Sequence, residues 1–264
     1  GYCNQCELDR SGRGTQCNRK KEMPKRSSLD GNILGGGLSE YLVIPAWQII
    51  RMPHDVDMRH AALTEPLACC IHSIRKARLK FGDTVVIIGM GIMGYFHVKL
   101  AQMCGARIIV SETDEEKRKT AIREGAAYAF DPRQCDVGEE IRRLTDGLGA
   151  DAVINTIPFK EVWQQAIDML APYGRLIAYS SQNSKEPIGV DFGMVHSREI
   201  EFIGTLNPTI EDNQMAVKLI GYQMIDMEKV IDREFSFAQG KEAFDYACKP
   251  GVYRVMINYG KEDN

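Results

Sequence analysis

The stretch that most restricts what this chain can become is TVVIIGMGIMG, Thr84 to Gly94, an apolar run that passes directly into glycines spaced G-x-G-x-x-G. A run this rich in Val and Ile, and too short for a helix, suits a strand buried on both faces of a sheet. Gly89, Gly91 and Gly94 then fall where the strand gives way to a helix. The first glycine permits a tight turn, the second lets backbone approach a pyrophosphate, and the third lets helix and strand pack closely. The helix N-terminus adds free N–H groups and the positive end of its dipole.

Alone the glycine motif is a weak signal, and Glu112 strengthens it. This residue closes the apolar run ARIIVSE, roughly twenty residues beyond the glycines, where a carboxylate can accept both ribose hydroxyls of NAD. A 2′-phosphate would be repelled there, and no arginine follows immediately, so NAD is expected over NADP. Ile92 and Met93, between the glycines at the helix mouth, join Gly89, Gly91, Gly94 and Glu112 as expected cofactor contacts. The alternative, in which the glycines only turn the chain and Glu112 caps a solvent face, fits this strand–glycine–helix–strand context less well.

The pattern continues along the chain. A helix is expected from Ile92 to Cys104, with Met93, Leu100, Ala101 and Cys104 on one face, followed by a charged helix EEKRKTAIREG ended by glycine. Then come AYAF, a helix near Val137 to Asp146, DAVINT, a helix near Lys160 to Ala171, GRLIAYS and EFIGTL. Short buried strands alternating with amphipathic helices predict an α/β fold, a doubly wound parallel (Rossmann) sheet. A helix near Asp212 to Ile225 and a strand–helix–strand tail follow. The first 65 residues are punctuated by Gly and Pro, favouring strands and loops over helices. No solenoid-period repeat or low-complexity tract is present.

With 264 residues and a net charge of −3, the chain has the composition of a globular protein and no basic footprint for nucleic acid. Thr84 to Ala106 is its most apolar stretch, but Gly89, Gly91, Gly94, His97 and Lys99 interrupt it, so no membrane span is expected. Eight cysteines without a charged-then-apolar leader point to a reducing compartment, by default the cytoplasm. Cys3, Cys6, Asp9 and Cys17 have the spacing of a zinc cage with one thiolate replaced; three reduced thiols on a surface loop are the alternative.

GYCNQC with Cys17, GGGLSEYLVIPA, ALTEPLACCIHSI, GDTVVIIGMGIMG, GRLIAYS and YRVMI occur in an order that resembles the zinc-dependent medium-chain dehydrogenase/reductase family. TEPL looks most like its polyol (sorbitol) and threonine dehydrogenase branches. The resemblance implies a cofactor domain over residues 67–205 and the remnant of a mainly β (GroES-like) catalytic domain over 1–66 and 206–264. It implies hydride transfer between an alcohol or polyol and NAD, with Zn2+ polarising the substrate oxygen, and a homodimer or homotetramer.

By the same resemblance Cys3, Cys6, Asp9 and Cys17 would hold a structural zinc, and Glu65 would occupy the fourth catalytic zinc position. Lys117 would reach the adenosine ribose and Arg254 the pyrophosphate region. Simpler roles stay open: a helix-start residue for Glu65, a solvated face for Lys117, a strand-edge salt bridge for Arg254. The family's upstream cysteine and Gly-His-Glu motif have no match, so the chain as given is expected to turn over alcohols negligibly. A nucleotide-binding paralogue without dehydrogenase activity is the alternative; a methyltransferase has no place for TEPL. Cys69, Cys70, Cys104, Cys135 and Cys248 are expected as buried small residues or, for Cys135, a surface thiol. His72 and His97 are expected to pack rather than catalyse, and His54, His60 and His196 have no assignable partner.

Overall fold

Thr84–Ile88 forms β1, buried along its whole length because its two faces feed separate cores. Val85 and Ile87 enter one core and Val86 and Ile88 the other. The computed structural model describes residues 37–39, 41–42, 46, 49–53 and 55–260. The short α1 (Met58–Ala61) and the long α2 (Thr64–Ala77) precede β1. After it come α3 (Ile92–Met103), β2 (Arg107–Ser111), α4 (Glu115–Arg123), β3 (Tyr128–Phe130), α5 (Val137–Leu144) and β4 (Ala150–Asn155). The chain continues through α6 (Lys160–Asp168), β5 (Leu170–Ala178), α7 (Phe192–Arg198) and β6 (Glu201–Gly204). It ends with α8 (Ile210–Gly221), β7 (Arg233–Ser236), α9 (Gly240–Ala247) and β8 (Val255–Asn258).

Six strands make one parallel sheet in the order β3-β2-β1-β4-β5-β6. The chain steps from β1 outward to β2 and β3, then returns to lay β4 on the other side of β1. That reversal opens a crevice beyond the carboxyl ends of β1 and β4, the place where such sheets bind ligands. Register levels the strand ends there: Ile88 stands opposite both Ser111 and Asn155. Residues of α2, α3 and α8 pack on one face of the sheet, and residues of α5, α6 and α7 on the other.

The doubly wound parallel sheet is as expected, and the predicted helix and strand positions are close to those observed. The helix expected to reach Ala171 stops at Asp168, since Leu170 already pairs with Ala150 as the start of β5. Three helices were not anticipated, the four-residue Met58–Ala61 among them. Thr64–Ala77 tolerates Pro66 because a proline in the first turn forfeits only an N–H that has no intrahelical acceptor. Phe192–Arg198 is too short to show a period, although Asp191 marks its start by accepting from the Gly193 and Met194 N–H groups.

Of the expected mainly β (GroES-like) remnant, no distinct unit is seen among the described residues, which include few of the first 54. Outside the large sheet the described residues form only the two-stranded parallel pair β7–β8. Residues 206–264 instead contribute α8 and α9, and Ala216, Ile220, Ile225, Met227, Val230 and Met256 join the same core as β1 and α3. Burying those side chains against the sheet outweighs what a four-residue strand pair could gain alone. Among the described residues no helix is long and apolar enough to cross a membrane.

Candidate functional site

The three glycines of the β1–α3 turn do different jobs. Gly89 has φ +92°, and a Cβ there would lie 2.6 Å from Thr156 Oγ1, so the turn requires glycine both for its conformation and for space. At Gly94 a Cβ would fall 2.0 Å from the Gly89 carbonyl oxygen, which is how closely α3 approaches the turn. Around Gly91 nothing lies within 4 Å of a built Cβ. Gly91 is also the N-cap of α3 and supplies no side-chain cap, which leaves the first-turn N–H groups, those of Ile92 and Met93 among them, available to an anion.

Glu112 stands one residue past β2 and reaches back across the crevice. Its Oε2 accepts from the Met90 N–H at 2.6 Å, inside the glycine turn, and its Oε1 accepts from the Asp114 N–H at 2.8 Å. Asp114 in turn caps α4 by accepting from the Lys117 N–H at 2.9 Å. The Lys117 ammonium lies over the Tyr253 ring, 5.0 Å from its centre. The chain's tail is therefore folded against the second strand end. Tyr253 and Arg254 both donate their backbone N–H to Asp232 Oδ2, at 2.5 and 2.9 Å. The Arg254 guanidinium makes no ion pair among the described residues, and its Nε is buried without a partner. The strand-edge salt bridge considered for Arg254 is thus not what the structure shows.

No arginine follows Glu112 immediately in sequence, yet two arrive in space. Arg118 Nη1 donates to the Glu112 and Thr113 carbonyls at 2.9 and 2.8 Å, and Arg133 Nη2 donates to the Thr113 carbonyl as well. Asp131 bridges both guanidinium groups. Their hydrogen bonds and charge, with that of Arg133 foremost, hold its carboxyl well below the usual carboxylate range despite burial.

Beyond the ends of β5 and β6 lies a cleft of about 160 Å³ lined by Cys69, His72, Tyr179, Thr205, Leu206 and Asn207. His72 is held by Asp212: its Nδ1 lies 2.8 Å from Asp212 Oδ2. Asp212 is fully buried and also accepts from Arg75 Nη1 at 2.7 Å and from Thr209 N–H and Oγ1. Burial pushes the Asp212 carboxyl up, but the donors from His72, Thr209 and Arg75 outweigh it and hold the group below its ordinary range. The Thr209-x-x-Asp212 spacing of a capping box was the one sequence signal for this network. His97 packs as expected, fully buried with Nδ1 at the Met93 carbonyl, and burial pushes its pKa down to about 4.

One expected outcome follows from Asp212. Its folded pKa is depressed, so its contribution is complete above the unfolded carboxylate value near ~3.9 and is lost as pH falls below it. Asp212→Ala should cost about 2–3 kcal/mol at neutral pH, read as a lower urea midpoint at unchanged slope, and should flatten the acid limb of stability. An unchanged midpoint would show that the network holds nothing.

Glu65 is exposed in the first turn of α2, where its charge suits the helix N-terminus, which accords with the simpler role left open for it. The Cys69 thiol donates to Glu65 Oε1 at 3.3 Å, and burial first, then the Glu65 charge, pushes that thiol up to about 12. Cys3, Cys6, Asp9, Cys17 and His54 lie outside the described residues. Asp57, His60 and Glu228 bring ligand atoms within 4.8 Å of one another, but the Arg59 guanidinium already pairs with both carboxylates. His60, left without a partner by the sequence, meets Glu228 at 2.8 Å. Cys70 is buried, Cys69, Cys104 and Cys135 are partly buried, and Cys248 is exposed, contrary to expectation.

Comparison with known proteins adds to this geometry. A sequence model described as zinc-binding dehydrogenase matches residues 89–221, half of the chain. The chain is 28% identical to a sorbitol dehydrogenase of Halalkalibacterium halodurans over 97% of its own length and 73% of that protein's. It is 25% identical to a D-arabitol-phosphate dehydrogenase of Enterococcus avium, over 99% of this chain and 73% of that one. Among solved structures, a zinc-binding dehydrogenase from Sinorhizobium meliloti bound to NADP superposes with a TM-score of 0.85 at 26% identity, covering 97% of this chain and 74% of that one. Another, from Clostridium scindens, gives 0.87 at 25% identity, over 99% and 71% respectively.

Proposed function

The chain belongs to the zinc-binding dehydrogenase family, and from that premise we propose that it is an NAD-dependent oxidoreductase moving hydride between an alcohol or polyol and the nicotinamide. The observation that carries this is the Glu112 carboxylate joined to the glycine turn through the Met90 N–H, at the mouth of an uncapped helix. The residues suit a dinucleotide. Open space at Gly91 and the first-turn N–H groups of α3 would take the pyrophosphate, with Arg254 assigned to that region by the family resemblance alone; Glu112 would accept from the adenosine ribose and Lys117 donate to it. When bound, the nicotinamide supplies the hydride acceptor or donor. The chain's own residues bind and orient it and exclude water. Polyols are favoured as substrates because relatives named for sorbitol and arabitol phosphate match nearly the whole chain.

Calorimetric titration tests the cofactor. NADH should bind at least about tenfold tighter than NADPH, a difference of about 1.4 kcal/mol, because a 2′-phosphate would meet the Glu112 carboxylate. Equal or tighter NADPH binding, as the NADP-bound Sinorhizobium relative makes worth checking, would overturn the preference.

Zinc enters the proposal at the segment carrying Cys3, Cys6, Asp9 and Cys17. A carboxylate can replace a thiolate as ligand, at the cost of some preference for zinc. Metal analysis of protein purified without chelator should find about one zinc per chain, lost in Cys6→Ser; zinc-free wild-type protein would refute the site. The catalytic zinc is a different matter. Among the described residues the donors near the cleft are Glu65, Cys69 and His72, with Glu65 bonded to the Cys69 thiol and His72 to Asp212, and they do not come together as a set of three ligand atoms, so they do not fit it and no step is derived through it. That observation favours a second reading, nucleotide binding without turnover. NADH binding with no polyol oxidation in the presence of added zinc would support it. The division into a cofactor unit over 67–205 and flanking segments, and the homodimer or homotetramer, remain parts of the proposal that light scattering and limited proteolysis can check.

A further inference from the structure

Tyr253 and Arg254 stand at the entrance to β8, far along the chain from Glu112, yet they close against it. A continuous path links them. The Glu112 carboxylate accepts from Asp114 N–H, Asp114 accepts from Lys117 N–H, the Lys117 ammonium rests over the Tyr253 ring, and Tyr253 N–H is fixed to Asp232. The ring has little freedom: it packs against the core shared by α3 and the tail. Tyr253 Oη and Arg254 Nε are both buried without a partner among the described residues, although buried polar atoms are as a rule paired. Burial, then the charges of Glu112, Asp114 and Asp232, push the Tyr253 hydroxyl up to about 12, which places that hydroxyl in the same electrostatic neighbourhood as the ribose acceptor.

We propose that Tyr253 is a positioning residue of the dinucleotide site, whose ring holds the Lys117 ammonium so that acceptor (Glu112) and donor (Lys117) meet the adenosine ribose together. This rests on the cofactor reading above. It extends the site to the tail, well beyond residues 89–221, and gives the cation–π contact a purpose that stability alone does not require. Without the ring, a flexible four-carbon side chain in the charged run DEEKRK would spend its time in solvent or beside Glu116 and Asp114.

The full-length chain provides the test, with NADH and ADP-ribose as probes, the second carrying the adenosine half without nicotinamide. Tyr253→Leu should weaken both about 3- to 5-fold, the scale of a partly exposed cation–π contact, in protein whose urea midpoint, lowered by the lost packing of the ring, still leaves it fully folded under the binding conditions. Tyr253→Phe, which keeps the ring, should restore most of the loss. In a Lys117→Ala background Tyr253→Leu should have no further effect, because its action runs through the lysine. Unaltered binding in Tyr253→Leu, or an additive loss in the double variant, would overturn the proposal while leaving the cofactor site standing. Wild-type protein that binds neither probe would overturn the cofactor reading itself, and this inference with it.

Discussion

Gly94→Ala should abolish measurable NADH binding and destabilise the fold by about 2–4 kcal/mol, the scale of overpacking against fixed backbone. The added methyl would sit 2.0 Å from the Gly89 carbonyl oxygen and 2.9 Å from its carbon. That carbonyl cannot swing aside easily, since Gly89 is fixed by its positive φ and by its N–H bond to the Ser111 carbonyl at 2.8 Å. Either α3 moves away from β1, carrying its first-turn N–H groups with it, or the turn deforms. In an ordinary helix the same change would stabilise by about 1 kcal/mol, so the sign itself is diagnostic. Gly91→Ala is the control. Its φ of −70° suits any residue and nothing lies nearby, so folding should be unaffected and only the approach of a ligand hindered. A Gly94→Ala protein with wild-type midpoint and NADH affinity would show that the helix does not approach the turn as closely as described.

Glu112→Ala should weaken NADH binding by about 10- to 100-fold, the worth of charge-assisted hydrogen bonds at a partly buried site. NADPH should be weakened far less, or bound better. The reason lies in the two guanidinium groups brought to the Thr113 carbonyl by Arg118 and Arg133. Without the carboxylate, they and Lys117 leave a locally positive edge that favours a 2′-phosphate. The Met90 N–H loses its acceptor in this variant, so the urea midpoint must be measured alongside. Parallel loss of NADH and NADPH affinity, with the midpoint unchanged, would mean that Glu112 supports the turn but does not discriminate ribose from ribose phosphate.

The sequence by itself determined the parallel sheet, the glycine turn with a carboxylate at the next strand end, and the family. These are legible because they depend on periods of two and 3.6 residues and on spacings within one strand–helix–strand unit, which survive in a linear string. Only the tertiary structure decided what joins across the chain. Asp212 meets His72 and Arg75, Tyr253 lies under Lys117, and Arg133 reaches Thr113, each pair separated by another element or several. It likewise decided that Glu65 is exposed at a helix start, and that the tail beyond residue 206 packs into the sheet's own core. Burial and pairing of a polar side chain depend on which surfaces meet, and that information resides in the packing of the whole chain rather than in any local run of residues.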